Sequence, residues 1–295
     1  MKKAFLFIAA ALMTLFISCE KDETLTTETL TDMEEAMVST DAAADDVSEA
    51  MNYEVDYFSS TDQHIEALSS DLKSSEGRGF GYRFLLGVAP EITVVPEGAE
   101  FPKTVTIDYG EGMELLTGRM LSGKIIIELS DRPLANGATR TITFENFYVD
   151  SVQVQGIATR TFTGTTDTER EFSSESTLDF TFADGSVLTR EGQRTRTLVE
   201  GLETLYDYSD DLILITGSVN YTTDEGVAFG KYISDPLHRM GTCRFVVQGV
   251  VTYTYEGEMF AELDYGDGTC DDLATITKNG ETRQITIGKR RRIRR

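Results

Sequence analysis

Tryptophan is absent from this chain, and 295 residues hold only two histidines, three cysteines and five prolines. Each scarcity removes a class of function. His64 and His238 stand far apart in sequence, so a multi-histidine metal centre has almost nothing to be built from. Neither lies in a serine- or cysteine-nucleophile signature, and there is no Gly-x-Ser-x-Gly elbow, His-Glu-x-x-His pair or phosphate-cradling glycine loop. The missing Trp is unfavourable to a carbohydrate platform, although twelve Tyr and sixteen Phe partly substitute. Basic residues are also in short supply: 27 Lys and Arg face 50 Asp and Glu, for a net charge of −23. Such acidity argues against nucleic acid, whose phosphates are held by Lys and Arg. It suits an ectodomain that must not adhere to anionic surfaces. The longest apolar run, Ala4 to Ile17 with only Thr14 interrupting, is shorter than the roughly 20 residues a membrane-crossing helix needs.

That run follows Lys2 and Lys3 and ends at Ser18-Cys19, the layout of a secretion signal cut before the cysteine. It resembles the signal peptides of bacterial lipoproteins, with Leu15-Phe16-Ile17-Ser18-Cys19 a loose lipobox of the kind found in the Bacteroidota. The resemblance implies a mature chain beginning at an acylated Cys19, anchored in the outer membrane. Lys21-Asp22-Glu23 is similar to the acidic signal that carries such lipoproteins to the cell surface. An ordinary secretion signal and an acidic linker are the plainer alternatives.

Residues 19–31 read as an acidic tether. From Asp32 the pattern changes, because Met33, Met37, Ala44, Val47, Met51, Val55 and Phe58 recur at helical spacing. Asp32 is the expected cap, with Asp41 or Asp45 interrupting the helix. The methionine stripe is either the side that packs on the parent domain or a docking face for a partner. Ser69 to Gly81 reads as a loop. Beyond Phe80 the β-branched and aromatic residues take over, and strands are expected at Glu91–Val95, Lys103–Tyr109, Gly123–Leu129, Thr139–Tyr148, Ser151–Phe162, Glu171–Phe182 and Val187–Val199. They continue at Leu212–Thr222, Gly226–Ile233, Cys243–Tyr255, Glu258–Tyr265, Leu273–Thr277 and Thr282–Ile287.

Two-residue turns are expected at Asp184-Gly185, Glu256-Gly257 and Asn279-Gly280. The first would set Phe182 opposite Val187, Asp179 opposite Arg190 and Glu175 opposite Arg194, so structural pairing with acids is expected for Arg190, Arg194 and Arg196, with an anion site the alternative. The second, carried along both strands without a bulge, brings Cys243 opposite Cys270. These are the two cysteines left after Cys19, so a single disulfide is expected. A bulge at Gly266-Asp267-Gly268 would shift that pairing. Thr106-Ile107-Asp108-Tyr109-Gly110-Glu111-Gly112 is echoed by Ala261-Glu262-Leu263-Asp264-Tyr265-Gly266-Asp267-Gly268, which suggests two duplicated units.

The run from Phe101-Pro102-Lys103-Thr104 through Ser122-Gly123-Lys124-Ile125, Thr143-Phe144-Glu145-Asn146-Phe147-Tyr148-Val149 and Leu214-Ile215-Thr216-Gly217 to Leu263-Asp264-Tyr265-Gly266-Asp267-Gly268-Thr269-Cys270-Asp271 resembles a family of Bacteroidota outer-membrane and cell-surface lipoproteins. The resemblance implies an anchored β protein and supplies no catalytic residue. Among the residues themselves, Asp108 with Glu111, and Asp264 with Asp267, Asp271 and Asp272, gather oxygens beside turns as calcium would require. Neither follows an ordered ligand spacing, and acids at turns commonly bond their own backbone. Asp150-Ser151-Val152 resembles a short O-glycosylation acceptor. The last residues, Lys289 to Arg295, are a basic block on an acidic protein.

The expectation is therefore mainly β: a large antiparallel meandering sheet, curved or sandwich-like, with an N-terminal helical segment. Residues 1–18 are the signal, 19–31 the tether, 32–79 helix and linker, 80–288 the β domain and 289–295 the tail. The expected role is a non-catalytic structural or interaction module of the envelope, with no cofactor. It would be tied to the bilayer through Cys19 and meet another envelope protein or a surface glycan. A glycan-binding component and a carboxylate-based hydrolase are the alternatives. A concave aromatic face would favour the first and a pocket with two carboxylates the second; a broad face or open sheet edge would favour assembly.

Overall fold

The computed structural model describes residues 30–71, 90–115, 118–204 and 208–287. The signal, Cys19, Lys21-Asp22-Glu23, nearly all of the tether, residues 72–89 and the basic tail lie outside them.

One long helix, α1 (Asp32–Ser59, 28 residues), sits at the centre. Its cap is Thr31 rather than Asp32: the Thr31 hydroxyl accepts from the Glu34 N–H at 3.2 Å, and Glu34 accepts from the Thr31 N–H at 2.8 Å. This reciprocal pair satisfies two backbone donors that a helix start leaves open. Asp41 and Asp45 do not interrupt the helix. Buried positions lie all around it, from Ala36, Met37 and Val38 to Ala42, Ala43 and Ala44. A helix buried on every side must be enclosed rather than laid on a surface. The methionine stripe is part of this interior, with Met37 and Met51 in the main apolar cluster. A second helix, α2 (Asp62–Asp71), follows and covers the first residues expected to be loop.

The enclosure is a single antiparallel meander. Its strands are β1 (Glu91–Val95), β2 (Lys103–Asp108), β3 (Met113–Glu114), β4 (Met120–Leu129), β5 (Thr139–Val149), β6 (Val152–Thr165) and β7 (Arg170–Thr181). They continue as β8 (Val187–Glu200), β9 (Leu212–Thr223), β10 (Ala228–Met240), β11 (Val246–Tyr255), β12 (Glu258–Asp267), β13 (Leu273–Lys278) and β14 (Glu281–Thr286). Only the two-residue β3 was not anticipated. Each strand pairs with its neighbour in sequence except β3, which hangs on β4 so that β2 pairs with β4 directly. The sheet does not close into a barrel, and β1 and β14 are its ends.

Contacts along α1 trace the wrap. Near its start Glu34 meets Lys278 of β13 at 2.8 Å. Midway, Asp41 meets Lys231 of β10 at 2.7 Å. Toward its end, Glu54 accepts from the Tyr109 hydroxyl beside β2 at 2.7 Å. Asp46 holds both halves of the sheet: it lies 2.5 Å from Arg119, just before β4, and 2.8 Å from Arg244, between β10 and β11. The apolar core divides around the same helix. One cluster joins Met37, Met51 and Phe58 to Ile107, Ile125 and Phe147; the other joins Val38 and Ala42 to Val251, Leu263 and Ile276.

Two expected registers are corrected. The Asp184-Gly185 turn is a three-residue loop closed by Phe182 and Ser186, whose N–H···O bond is 3.0 Å. Gly185 takes φ +82° there, the left-handed residue such a loop calls for. The pairs become Thr181–Val187, Asp179–Thr189, Leu178–Arg190 and Ser174–Arg194. A one-residue slip reverses the faces, so Arg190, Arg194 and Arg196 point inward with Leu188, not outward to strand acids. In the second case Tyr255 does face Glu258, but the ladder then shifts twice, to Tyr253–Ala261 and to Gln248–Asp267. Cys243 and Cys270 lie beyond the ends of β11 and β12, and the disulfide nevertheless forms, with S–S 2.04 Å and Cα–Cα 5.7 Å.

Candidate functional site

The inner face of a sheet wrapped round a helix should be apolar, and over the first strands it largely is, with Lys103 of β2 donating to the Pro96 carbonyl. The middle strands differ, because α1 carries nine Asp and Glu and no Lys or Arg. A carboxylate buried without a partner is prohibitively costly, so the sheet must supply cations. Lys231, with no exposed side-chain surface, lies 2.7 Å from Asp41 and 2.5 Å from Asp45. The Tyr221 and Tyr253 hydroxyls also donate to Asp41. Burial, then the Asp41 charge, pushes both phenols well above their usual range, so they remain donors. Arg194 donates to Asp45 at 2.8 Å and Arg190 to the Ser48 hydroxyl at 2.6 Å. Burial would raise the Asp45 pKa, but Arg194, Lys231 and Arg190 outweigh it and hold the group far below the carboxylate range.

Beyond this network, at the next turn of α1, a cleft opens where the helix end meets β5 to β10. The space within it is about 100 Å³. Sheet register builds it row by row. Arg140 of β5 faces Arg160 of β6, and Phe172 of β7 faces Arg196 of β8. The outermost row reads Arg170, Leu198, Ile213, Arg239 across β7, β8, β9 and β10. Leu134, Met240 and, from the helix, Tyr53 complete the wall. The Arg140 guanidinium lies over the Phe172 ring, 4.9 Å from its centroid.

Three carboxylates line this cleft, Glu49, Asp56 and Asp211, so the carboxylate-pair alternative applies here first. Glu49 accepts two bonds from Arg196 Nη1, at 2.8 and 3.0 Å, and one from Nη2 at 3.0 Å. Burial would raise its pKa, but Arg196, then Arg239 and Arg194, hold it at about 2. A group so acidic stays ionised at neutral pH and cannot serve as a general acid there. Asp56 is gripped by Arg160 at 2.5 Å.

The residues singled out in the sequence lie elsewhere. Asp108 accepts from the Gly110 N–H and Asp264 from the Gly266 N–H, each at 2.8 Å, so the two copies of the repeat close their turns alike. Asp267 accepts from Thr269, and Asp271 from the Leu273 N–H at 2.9 Å. The backbone carbonyl of Asp272 accepts from Ile287 at 2.8 Å. Each side chain bonded here is turned onto its own loop, and among the described residues no group of three or more His, Cys, Asp and Glu is placed to hold a metal ion. Glu111 is exposed. Ser151 stands exposed in the turn between β5 and β6. His64 is on α2 and His238 on β10, and neither lines the cleft. Exposed aromatics are dispersed, with Tyr148 on β5 and Tyr232 on β10. The sequence sets Arg196 among strand acids on the wet face and assigns no face to the cleft's other arginines. The signal that could have found them was the surplus of unpaired acids on α1, which demands cations from somewhere. No protein-family model, curated protein or solved structure matches this chain.

Proposed function

We propose that this protein is a non-catalytic binding module of the cell envelope, held at the outer membrane through an acylated Cys19, and that the cleft between α1 and strands β5 to β10 takes its ligand. The observation that carries this reading is the cleft itself: an open hollow with an apolar floor, beside an interior of apolar clusters and matched ion pairs. Concave, largely apolar sites with a few convergent polar groups are where small ligands bind. Glu49 and Asp56 are already committed to arginines, which disfavours hydrolysis. The open edges at β1 and β14 leave room for an envelope partner as well. Binding is tested by titrating the full chain with naphthalene-2-carboxylate and with its uncharged amide. One equivalent of at least one probe should bind, and Leu198→Trp, which fills the floor, should abolish it. Failure of both probes to bind at one per chain would end the reading. The anchor is tested by intact mass of membrane-extracted protein, which should exceed that of the chain from Cys19 by an acyl-glyceryl group; an unmodified Cys19 would refute it.

A further inference from the structure

Strands β8 and β9 do not bury the whole of their inner face. Leu188 and Ile215 are each 1% exposed, whereas Leu198 and Ile213, which face each other across the same two strands, are half-buried and line the cleft. Phe172 of β7, Tyr53 of α1 and Leu134 between β4 and β5 stand half-buried around them, and Met240 of β10 is 36% exposed. Six apolar side chains from six parts of the chain thus converge on one hollow without closing it. Large apolar groups gathered but left uncovered mark a ligand groove rather than a finished core. The charged side chains of the lining are in the opposite condition, because each is already engaged within the protein. Arg196 and Arg239 face Glu49 at 2.8 and 3.9 Å, and Arg160 and Arg140 face Asp56 at 2.5 and 3.5 Å. Arg170 donates to the Leu202 carbonyl at 3.5 Å, and Asp211 likewise has its partner. What the cleft leaves unsatisfied is therefore apolar surface, not charge.

We infer that the cleft binds an uncharged, mainly apolar small molecule and holds it by a single ring. The inference rests on the binding reading above and specifies its ligand. The ring follows from the room available. An enclosed apolar cavity of about 150 Å³ holds a benzene, so about 100 Å³ with an open mouth seats one ring and leaves the rest of the molecule outside. The absence of charge follows from the lining. An ionised group entering among arginines and carboxylates that already hold one another would lose its water without meeting a waiting partner. A polyhydroxylated ligand would fare no better, since its hydroxyls would lie unpaired against Leu198, Ile213 and Phe172.

Calorimetric titration of the full chain decides the matter, with naphthalene-2-carboxamide as the uncharged probe and naphthalene-2-carboxylate as the charged one. The amide should bind one to one with a negative heat-capacity change, the mark of apolar burial. The carboxylate should bind no more tightly than the amide, and added salt should leave the amide affinity unchanged. Ile213→Asn keeps every ion pair of the lining and should weaken the amide at least about tenfold. Should that variant not fold, Met240→Gln at the exposed rim takes its place, with an expected loss of at least about threefold. A carboxylate that binds more than about threefold tighter than the amide overturns this inference and leaves the binding reading standing. So does an amide affinity unmoved by the substitution. Absence of one-to-one binding by either probe removes both.

Discussion

Lys231 is the side chain the fold can least do without. Its ammonium lies between Asp41 and Asp45, all three enclosed. In Lys231→Met, Asp45 would keep Arg194 and Arg190, but Asp41 would be left with two tyrosine hydroxyls. Removing one partner of a buried pair typically costs roughly 3 to 5 kcal/mol, and urea unfolding of the variant should show a loss of that size. A loss under about 1 kcal/mol would mean that water or a proton reaches Asp41 easily. This residue also shows why part of the site was hidden in the sequence. Asp41 and Asp45 look like helix breakers when only their neighbours are considered, because their partners lie far along the chain on other elements. Their apolar neighbours Ala44, Val47 and Met51 were legible, since a period of 3.6 is a local property.

At the scale of elements, strands were easier to read than their pairings. Alternation and turn residues mark where a strand begins and ends, whereas register depends on how many residues a loop or bulge consumes. One extra residue in the loop after β7 moved Arg190, Arg194 and Arg196 from the wet face to the interior, and Arg196 into the cleft lining. Gly185→Ala should therefore test the loop: forcing a side chain into φ +82° should destabilise by about 1 to 2 kcal/mol. No loss in urea unfolding would show that the loop relaxes into another turn. The disulfide was anticipated from a straight ladder and is reached through two shifts, with the loops beyond β11 and β12 closing the gap. It spans 27 residues, for which chain entropy gives roughly 3 to 4 kcal/mol. Cys243→Ser/Cys270→Ser should lose about that much. Hydrogen exchange should rise first in β12 to β14, and uniform acceleration across β5 to β8 would contradict a local staple.

For the whole molecule, an acidic rod inside a partly basic sleeve ties stability to pH. The Glu49 pKa lies near 2 against an ordinary 4.5, and Asp45 lies far below its usual value. Depressed carboxylates contribute stability that is complete above their unfolded range and fades as acid protonates them in the native state. The melting temperature should be level from neutral to about pH 5 and fall steeply toward pH 2. Tyr221, Tyr253 and Tyr265 are pushed the other way, first by burial, so stability should decline again as pH rises past the ordinary phenol value of 10.0. A midpoint unchanged between pH 5 and pH 3 would reject this account. The clasp at Asp46 has a consequence in time. Synthesis delivers the chain N-terminus first, so the segment that becomes the helix emerges before any strand that will surround it. Its acids can remain hydrated while waiting, and every later hairpin pairs only with the one before it. Arg119 reaches Asp46 early, Arg244 only after ten strands have emerged. If the sheet is wound on the helix in that order, the second arginine on Asp46 joins a late part of the sheet to the carboxylate that already holds an early one.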